Sequence, residues 1–357
     1  MKHKIALIGF GTVAQGLLEI LIVKNSFLRN EGIEFEIVAV SDALKGSVYN
    51  PNGLEIEMLL KVVRETGKLL AYPDSPGIIK GWDSLTTIKE TNANTVVEVT
   101  YTNVQTGQPA IDYCRTAFES GKNVVTSNKG PVALEYPSLS ALAEEHGVYW
   151  GIEGSVMSGT PSLRMPMVSL IGNEIREIRG IFNGTTNYIL TQMENGSSYD
   201  DALADAQQLG YAEADPTNDV EGYDALYKIL ILANTLMNVQ LHSEQVTRRG
   251  ITGITSGQIE EAKIKGKKWK LISRITLSDD GVIASVGPEM IPLTDPLAGV
   301  SGPTNAITYE CDLMGPVTLM GAGAGRIETG FSLLIDLIHI VRAQAGRNLD
   351  QKASLFR

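Results

Sequence analysis

Residues 5–22 read IALIGFGTVAQGLLEILI. Ile5–Ile8 is a short apolar run, Gly9-Phe10-Gly11-Thr12-Val13-Ala14 is a turn of small residues, and Leu17, Leu18, Leu21 and Ile22 recur at helical spacing. Strand, glycine turn and helix in that order form a phosphate cradle. The first glycine permits the tight turn, the second lets a pyrophosphate approach the backbone, and Ala14 allows the helix to pack closely on the strand. The phosphates then sit at the helix N-terminus, where N–H groups lack partners. The pattern predicts a dinucleotide-binding unit of Rossmann type.

Glu36–Val40 reads as the second strand, ending in Ser41-Asp42, where a carboxylate can accept hydrogen bonds from an adenosine ribose or simply cap the turn. Asp42 stands 28 residues beyond Ala14, later than the ~20 usual for this fingerprint, and a longer loop over residues 25–32 is expected to hold the excess. An acid here favours NAD. Lys45, Lys61 and Arg64 are candidates for a 2′-phosphate, so NADP stays open. Strand Thr95–Val99, helix Pro109–Ser120 and strand Lys122–Thr126 continue the alternation as βαβ units. The expected fold is α/β, with a doubly wound parallel sheet. Thr100, Tyr101 and Ser127-Asn128-Lys129 follow strands and should line the coenzyme crevice, Lys129 being kept outside any element by Gly130-Pro131.

From Tyr149 the texture changes. Gly151–Pro161 is a small-residue loop with one carboxylate, Glu153; it suits a monovalent cation or a plain linker equally. Glu174–Ile181 reads as a strand, Phe182–Asn187 as a polar turn that caps a helix or holds a polar substrate, and Asp200–Leu209 as a helix. Lys270–Leu277, the turn 278–281 and Val282–Val286 read as strand, turn and strand. An α+β domain is expected over 149–315, with 1–148 and 316–357 forming the nucleotide domain. In that returning segment, strand Val317–Met320, the turn Gly321–Gly325 and a helix from Thr329 repeat the N-terminal order.

The 357 residues are 43% hydrophobic and carry a formal net charge of −11. That balance disfavours a general nucleic-acid binder, which needs a basic face. No run approaches the ~18 apolar residues of a membrane span, and glycines interrupt the apolar start before a signal core is complete. Two cysteines far apart, Cys114 and Cys311, form no zinc or redox pattern. A cytoplasmic setting is expected.

The second decisive stretch is LGYAEADPTNDVEGYDALYK, Leu209–Lys228. Asp224 and Lys228, four apart, share one face of a helix that continues through Ile229–Ala233, apolar on nearly every side. Burying an ammonium is tolerated when it is paired, and burial favours proton exchange. Glu213, Asp215, Asp219 and Glu221 precede it, and some of these carboxylates are expected to face the cationic end of a substrate.

Together, GFGTVA, VVTSNKG (124–130), EGSVMSGTP (153–161), IFNGTTNYIL (181–190), the 210–228 block and the Gly-Ala-Gly-Ala-Gly turn resemble the homoserine dehydrogenases over nearly the whole chain. The resemblance implies NAD(P)-dependent interconversion of L-homoserine and L-aspartate 4-semialdehyde, on the route to threonine, methionine and isoleucine. It implies Lys228 as proton donor, Asp224 and Glu213 as substrate binders, Asp219 as support, and Lys129 between nicotinamide and substrate. It also implies a sodium ion on Glu153 and the carbonyls of Val156, Ser158 and Thr160, coenzyme contacts at Gly210 and Gly323, and a homodimer paired through the second domain. The C-terminal regulatory domain of longer members is not expected. Two other readings compete: an amino-acid dehydrogenase that releases ammonia, and a catalytically dead nucleotide sensor, which the presence of both lysines disfavours.

Overall fold

The computed structural model describes residues 2–278 and 281–346. Asp279 and Asp280 of the expected turn, and 347–357 of the expected returning segment, lie outside the described residues. The chain divides into two units, residues 1–155 with 325–357, and 156–324.

The first unit is built on a seven-stranded sheet of β1 (His3–Ile8), β2 (Phe35–Asp42), β3 (Gly46–Tyr49), β4 (Ile79–Lys80), β5 (Thr95–Glu98), β6 (Asn123–Thr126) and β7 (Trp150–Gly151). Their order is β4-β3-β2-β1-β5-β6-β7. The β2-β1-β5-β6-β7 part is parallel, while β3 and β4 pair antiparallel at one edge. Near-continuous apolar runs such as Ile5–Ile8 and Val96-Val97 are fully buried, as strands covered on both faces require. The short edge strands β3 and β4 carry too little pattern to be expected from sequence.

The expected loop over 25–32 is not there. The helix Thr12–Asn30 continues through most of it, because Phe27 and Leu28 extend the helical repeat and nothing breaks it before Gly32. Helix Arg326–Gln344 lies beside it, and Leu333, Leu334, Leu337 and Ile340 join Leu17, Leu18 and Leu21 in one core. Two glycines allow the approach: a Cβ on Gly16 would stand 2.2 Å from the Arg326 carbonyl oxygen, and one on Gly330 2.7 Å from Leu17 N. Arg326 closes the contact with a fork on Glu19, at 3.0 and 2.7 Å.

The second unit holds a six-stranded sheet of β8 (Ile175–Ile181), β9 (Val246–Arg248), β10 (Lys267–Ser278), β11 (Gly281–Pro292), β12 (Thr304–Cys311) and β13 (Gly315–Ala322), in the order β13-β12-β8-β10-β11-β9. All pairs are antiparallel except β11 with β9. Strand 317–320, expected in the returning segment, is therefore part of this sheet. It forms a hairpin with β12, Thr304 opposite Ala322 and Cys311 opposite Gly315, and so short a closure is favoured over a long crossover. The helices Gly184–Glu194 and Tyr223–Leu236 belong to the same unit, and Ala225–Asn234 of the latter are buried throughout.

Candidate active site

In the first unit the glycine turn has the geometry of a phosphate cradle. Gly9 has φ +94°, and a Cβ there would lie 2.5 Å from the Val99 carbonyl oxygen, so no other residue fits without a shift. Gly11 caps the 19-residue helix, meets nothing within 4 Å of its missing Cβ, and is exposed. Thr12, Val13 and Ala14 thus start a long helix whose first turn contains no acid, and their N–H groups suit the pyrophosphate of a dinucleotide. Phe10 is fully buried and its N–H donates to Asp42 Oδ2 at 2.8 Å, so it contributes position, not surface.

Asp42 also accepts from the N–H groups of Leu44 and Lys45, both at 2.9 Å, and from Lys45 Nζ at 3.5 Å. Burial raises its pKa, but these backbone donors and the Lys45 ammonium outweigh it and hold the carboxyl below its usual range. Turn cap and candidate ribose acceptor are one side chain. Lys45, the longest of the four contacts, is the one a ribose hydroxyl can displace, whereas Lys61 and Arg64 lie exposed on the helix Ile56–Thr66.

After β5 and β6 come Thr100 and Tyr101, the latter 85% exposed, and Ser127-Asn128-Lys129. Lys129 is not outside an element, as expected, but opens a short helix, Lys129–Leu134. Asn128 caps it by accepting from Gly130 N at 3.1 Å, and Pro131 falls in the first turn, where a missing N–H costs nothing. Beneath these turns lies a carboxylate the sequence reading passed over. Glu98 is fully buried at the end of β5, and burial raises its pKa against hydrogen bonds from Thr100, Thr126 and Asn128. Its one signal was an acid inside the apolar run TVVEV.

In the second unit Lys228 is 6% exposed. Its ammonium donates to the Phe182 carbonyl at 2.5 Å and to Asp224 Oδ2 at 2.8 Å. Asn183 is both a helix cap, accepting from Thr186 N at 2.9 Å, and a bridge: its Nδ2 donates to Asp219 Oδ1 at 2.6 Å and Asp224 Oδ2 at 3.0 Å. Thr185 Oγ1 lies 2.6 Å from the Tyr211 carbonyl and 3.3 Å from Asp219 Oδ2. Burial and then the neighbouring Asp224 raise the Asp219 pKa, with Asn183, Lys228 and Thr185 opposing. Asp219, on the short helix Thr217–Val220, is thereby brought beside Asp224 and Lys228 on the next helix, whereas Glu213, Asp215 and Gly210 are exposed. Gly210, at φ +76°, ends the helix Tyr199–Gln208.

Gly323 stands against Asn305 so closely that a Cβ would lie 2.1 Å from its Nδ2. The Asn305 amide is fully buried, and neither its nitrogen nor its oxygen meets a protein hydrogen-bond partner among the described residues. Sequence reading missed it for want of any pattern. Met157 and Ser158 are both left-handed, at φ +54° and +55°, in the turn that also holds Val156 and Thr160. The Val156 and Thr160 carbonyls already accept from Ser162, at 2.9 and 2.7 Å. Glu153 is buried in the first unit, its N–H donating to Asp336. Among the described residues no three His, Cys, Asp or Glu are grouped to hold a metal.

The family model described as Homoserine dehydrogenase matches residues 161–338. The chain is 43% identical over 341 residues to the NAD(+)-dependent homoserine dehydrogenase of Pseudomonas canavaninivorans, covering 95% of this chain and 96% of the relative. Among solved structures it is similar to a homoserine dehydrogenase from Thiobacillus denitrificans, with TM-score 0.83 and 30% identity over 97% of this chain and 74% of that one. A hyperthermophilic archaeal homoserine dehydrogenase in complex with NADPH gives TM-score 0.81 and 28% identity, covering 96% and 98%.

Proposed function

Since the chain belongs to the homoserine dehydrogenase family, and is an oxidoreductase that interconverts L-homoserine and L-aspartate 4-semialdehyde with NAD(P), we propose the following roles for its residues. Lys228 binds the aldehyde oxygen and gives it a proton during reduction. When bound, the nicotinamide coenzyme supplies the hydride. Charge building on the oxygen is stabilised by the ammonium and then quenched by its proton, so one group serves twice. The observation that carries this is a buried ammonium held by a carboxylate and a backbone carbonyl.

Asp224 orients Lys228, and Asp219 with Asn183 fixes Asp224. These carboxylates, with Glu213 reaching in from its exposed loop, favour the substrate ammonium. Lys129 faces the nicotinamide end of the coenzyme. Gly9–Ala14 hold the pyrophosphate, Asp42 the adenosine ribose, Thr100 and Tyr101 the nicotinamide side. Gly323, kept in place by Asn305, and Gly210 are further contacts. Asp42, held ionised, disfavours a 2′-phosphate, which supports NAD over NADP. A sodium ion on the carbonyls of Val156, Ser158 and Thr160 is supported by the left-handed turn that redirects them. A homodimer is supported by Ile283, Leu313 and Met314, apolar side chains left exposed on the second unit. No described helix is long and apolar enough to cross a membrane, and Cys114 and Cys311 are free thiols; cytoplasmic work is part of the proposal.

The test is Lys228→Ala. Turnover on L-homoserine should fall by on the order of 10²–10⁴ with coenzyme affinity kept. Unchanged turnover refutes the role, and wild-type turnover confined to L-aspartate would point to the ammonia-releasing reading.

A further inference from the structure

The Glu98 carboxyl belongs to a closed ring of hydrogen bonds. Oε1 accepts from the Thr100 N–H at 2.9 Å and from the Thr100 hydroxyl. Oε2 accepts from the Thr126 hydroxyl at 2.9 Å, and the Thr126 oxygen in turn accepts from Asn128 N–H at 2.9 Å. Asn128 Nδ2 returns to the Thr100 carbonyl at 3.4 Å. The ring joins the turn after β5 to the turn after β6, and its last member, Asn128, is the cap of the helix that Lys129 begins. The β5–β6 ladder ends at the pair Glu98 and Thr126. From that last rung the carboxyl reaches on to the turn at Thr100 and, through the Thr126 hydroxyl, to the turn at Asn128.

A carboxyl buried in a parallel sheet is costly, and stability alone favours an apolar side chain in its place. Its accepting capacity explains its presence: two oxygens take donors from the turn after β5 and from the end of β6, which an amide with one oxygen cannot reproduce. We infer that Glu98 is a positioning residue, which couples the turn at Thr100 to the turn at Asn128 and so sets where Lys129 stands for hydride transfer. The inference rests on the reading of Lys129 as a group beside the nicotinamide.

Two variants test it, Glu98→Gln and Thr126→Val, the second leaving the carboxyl and its Thr100 arm in place and removing the Thr126 hydroxyl that joins Oε2 to the Asn128 N–H. Hydrogen–deuterium exchange of the coenzyme-free protein is followed over residues 99–104 and 127–134, with 5–8 and 37–40 as core controls. Both variants should speed exchange in both segments by on the order of tenfold, with the controls unchanged. Thr126→Val loosening only 127–134 would overturn the coupling. NADH affinity is read by fluorescence, and single-turnover hydride transfer with 4-deuterated NADH. Affinity should hold within about threefold while hydride transfer slows by on the order of ten- to a hundredfold. Lys129→Ala separates the two claims. If it abolishes rapid transfer while both ring variants transfer at the wild-type rate, the positioning role is wrong. If Lys129→Ala also transfers normally, the reading of Lys129 has failed and the inference falls with it.

Discussion

Removing Asp224 and removing Lys228 should not cost the same. Lys228 is 6% exposed, and Asp224→Ala leaves its ammonium only the Phe182 carbonyl of its two acceptors. An uncompensated buried charge costs about 3–5 kcal/mol, and the 18% exposure of the departing carboxylate lowers this to about 2–4 kcal/mol. Lys228→Met is milder. It leaves Asp224 hydrogen-bonded to Asn183 at 3.0 Å and within reach of water, at about 1–2 kcal/mol. The double variant Asp224→Ala/Lys228→Met removes both charges, so it should be no less stable than Asp224→Ala alone, a coupling of about 1–3 kcal/mol. For a unit of this size that is roughly 2–4 °C of Tm per kcal/mol, measurable by calorimetry. Activity ranks differently: Lys228→Met and the double variant lose turnover alike, and Asp224→Asn, which keeps an acceptor near Nζ, retains more than either. Stability losses that simply add in the double variant would show that the pair is not coupled, and that Lys228 is held by something else.

Asp42→Asn keeps the turn's shape but removes the charge, so kcat/KM for NADP relative to NAD should rise on the order of tenfold; an unchanged ratio refutes Asp42 as the discriminator. His3 is 8% exposed, its Nε2 lies 2.7 Å from Thr95 Oγ1, and burial lowers its pKa to about 4 from 6.5. Being a base whose folded pKa is depressed, it costs nothing above pH 6.5; stability then falls as pH drops towards 4, by about 3 kcal/mol in all. His3→Gln should flatten that part of the wild-type profile in urea titrations between pH 7 and 4, and identical profiles would refute the assignment. Gly9→Ala should weaken NADH binding at least tenfold in fluorescence titrations, because its Cβ meets the Val99 carbonyl; normal affinity would mean that the turn shifts freely.

What the sequence made legible was whatever repeats with a period or sits at a fixed offset. The strand-turn-helix at 5–22, the buried strands with one glycine turn, and the Asp224–Lys228 pair on an apolar helix all obey short-range rules. Hairpin closure across 311–315 does too, yet the likeness of 317–325 to the N-terminus drew that strand to the wrong sheet. Helix length was misjudged at 25–30 because Asn and Ser weaken propensity without stopping a helix that packs closely on its neighbour through one glycine of its own, Gly16, and one of the neighbour's, Gly330. Lys129 was misplaced for a related reason: proline ends helices in the interior but is at home in the first turn. Glu98, Asn183 as a bridge, and Asn305 depend on partners far along the chain, and no local period marks them.

The proposed roles tie the charges gathered around Lys228 to the choice of substrate. Two carboxyl groups, Asp219 and Asp224, stand beside one ammonium, and burial and then the Asp224 charge raise the Asp219 pKa. On the proposed roles, an α-amino group brings a second cation to this cluster and offsets the burial and the Asp224 charge that raise the Asp219 pKa. A simple aldehyde of the same length lacks that cation, so it should bind without completing the network. On the proposed roles, discrimination for an amino-acid aldehyde comes from the same carboxylate that orients the proton donor, and recognition at one end of the substrate is tied to chemistry at the other.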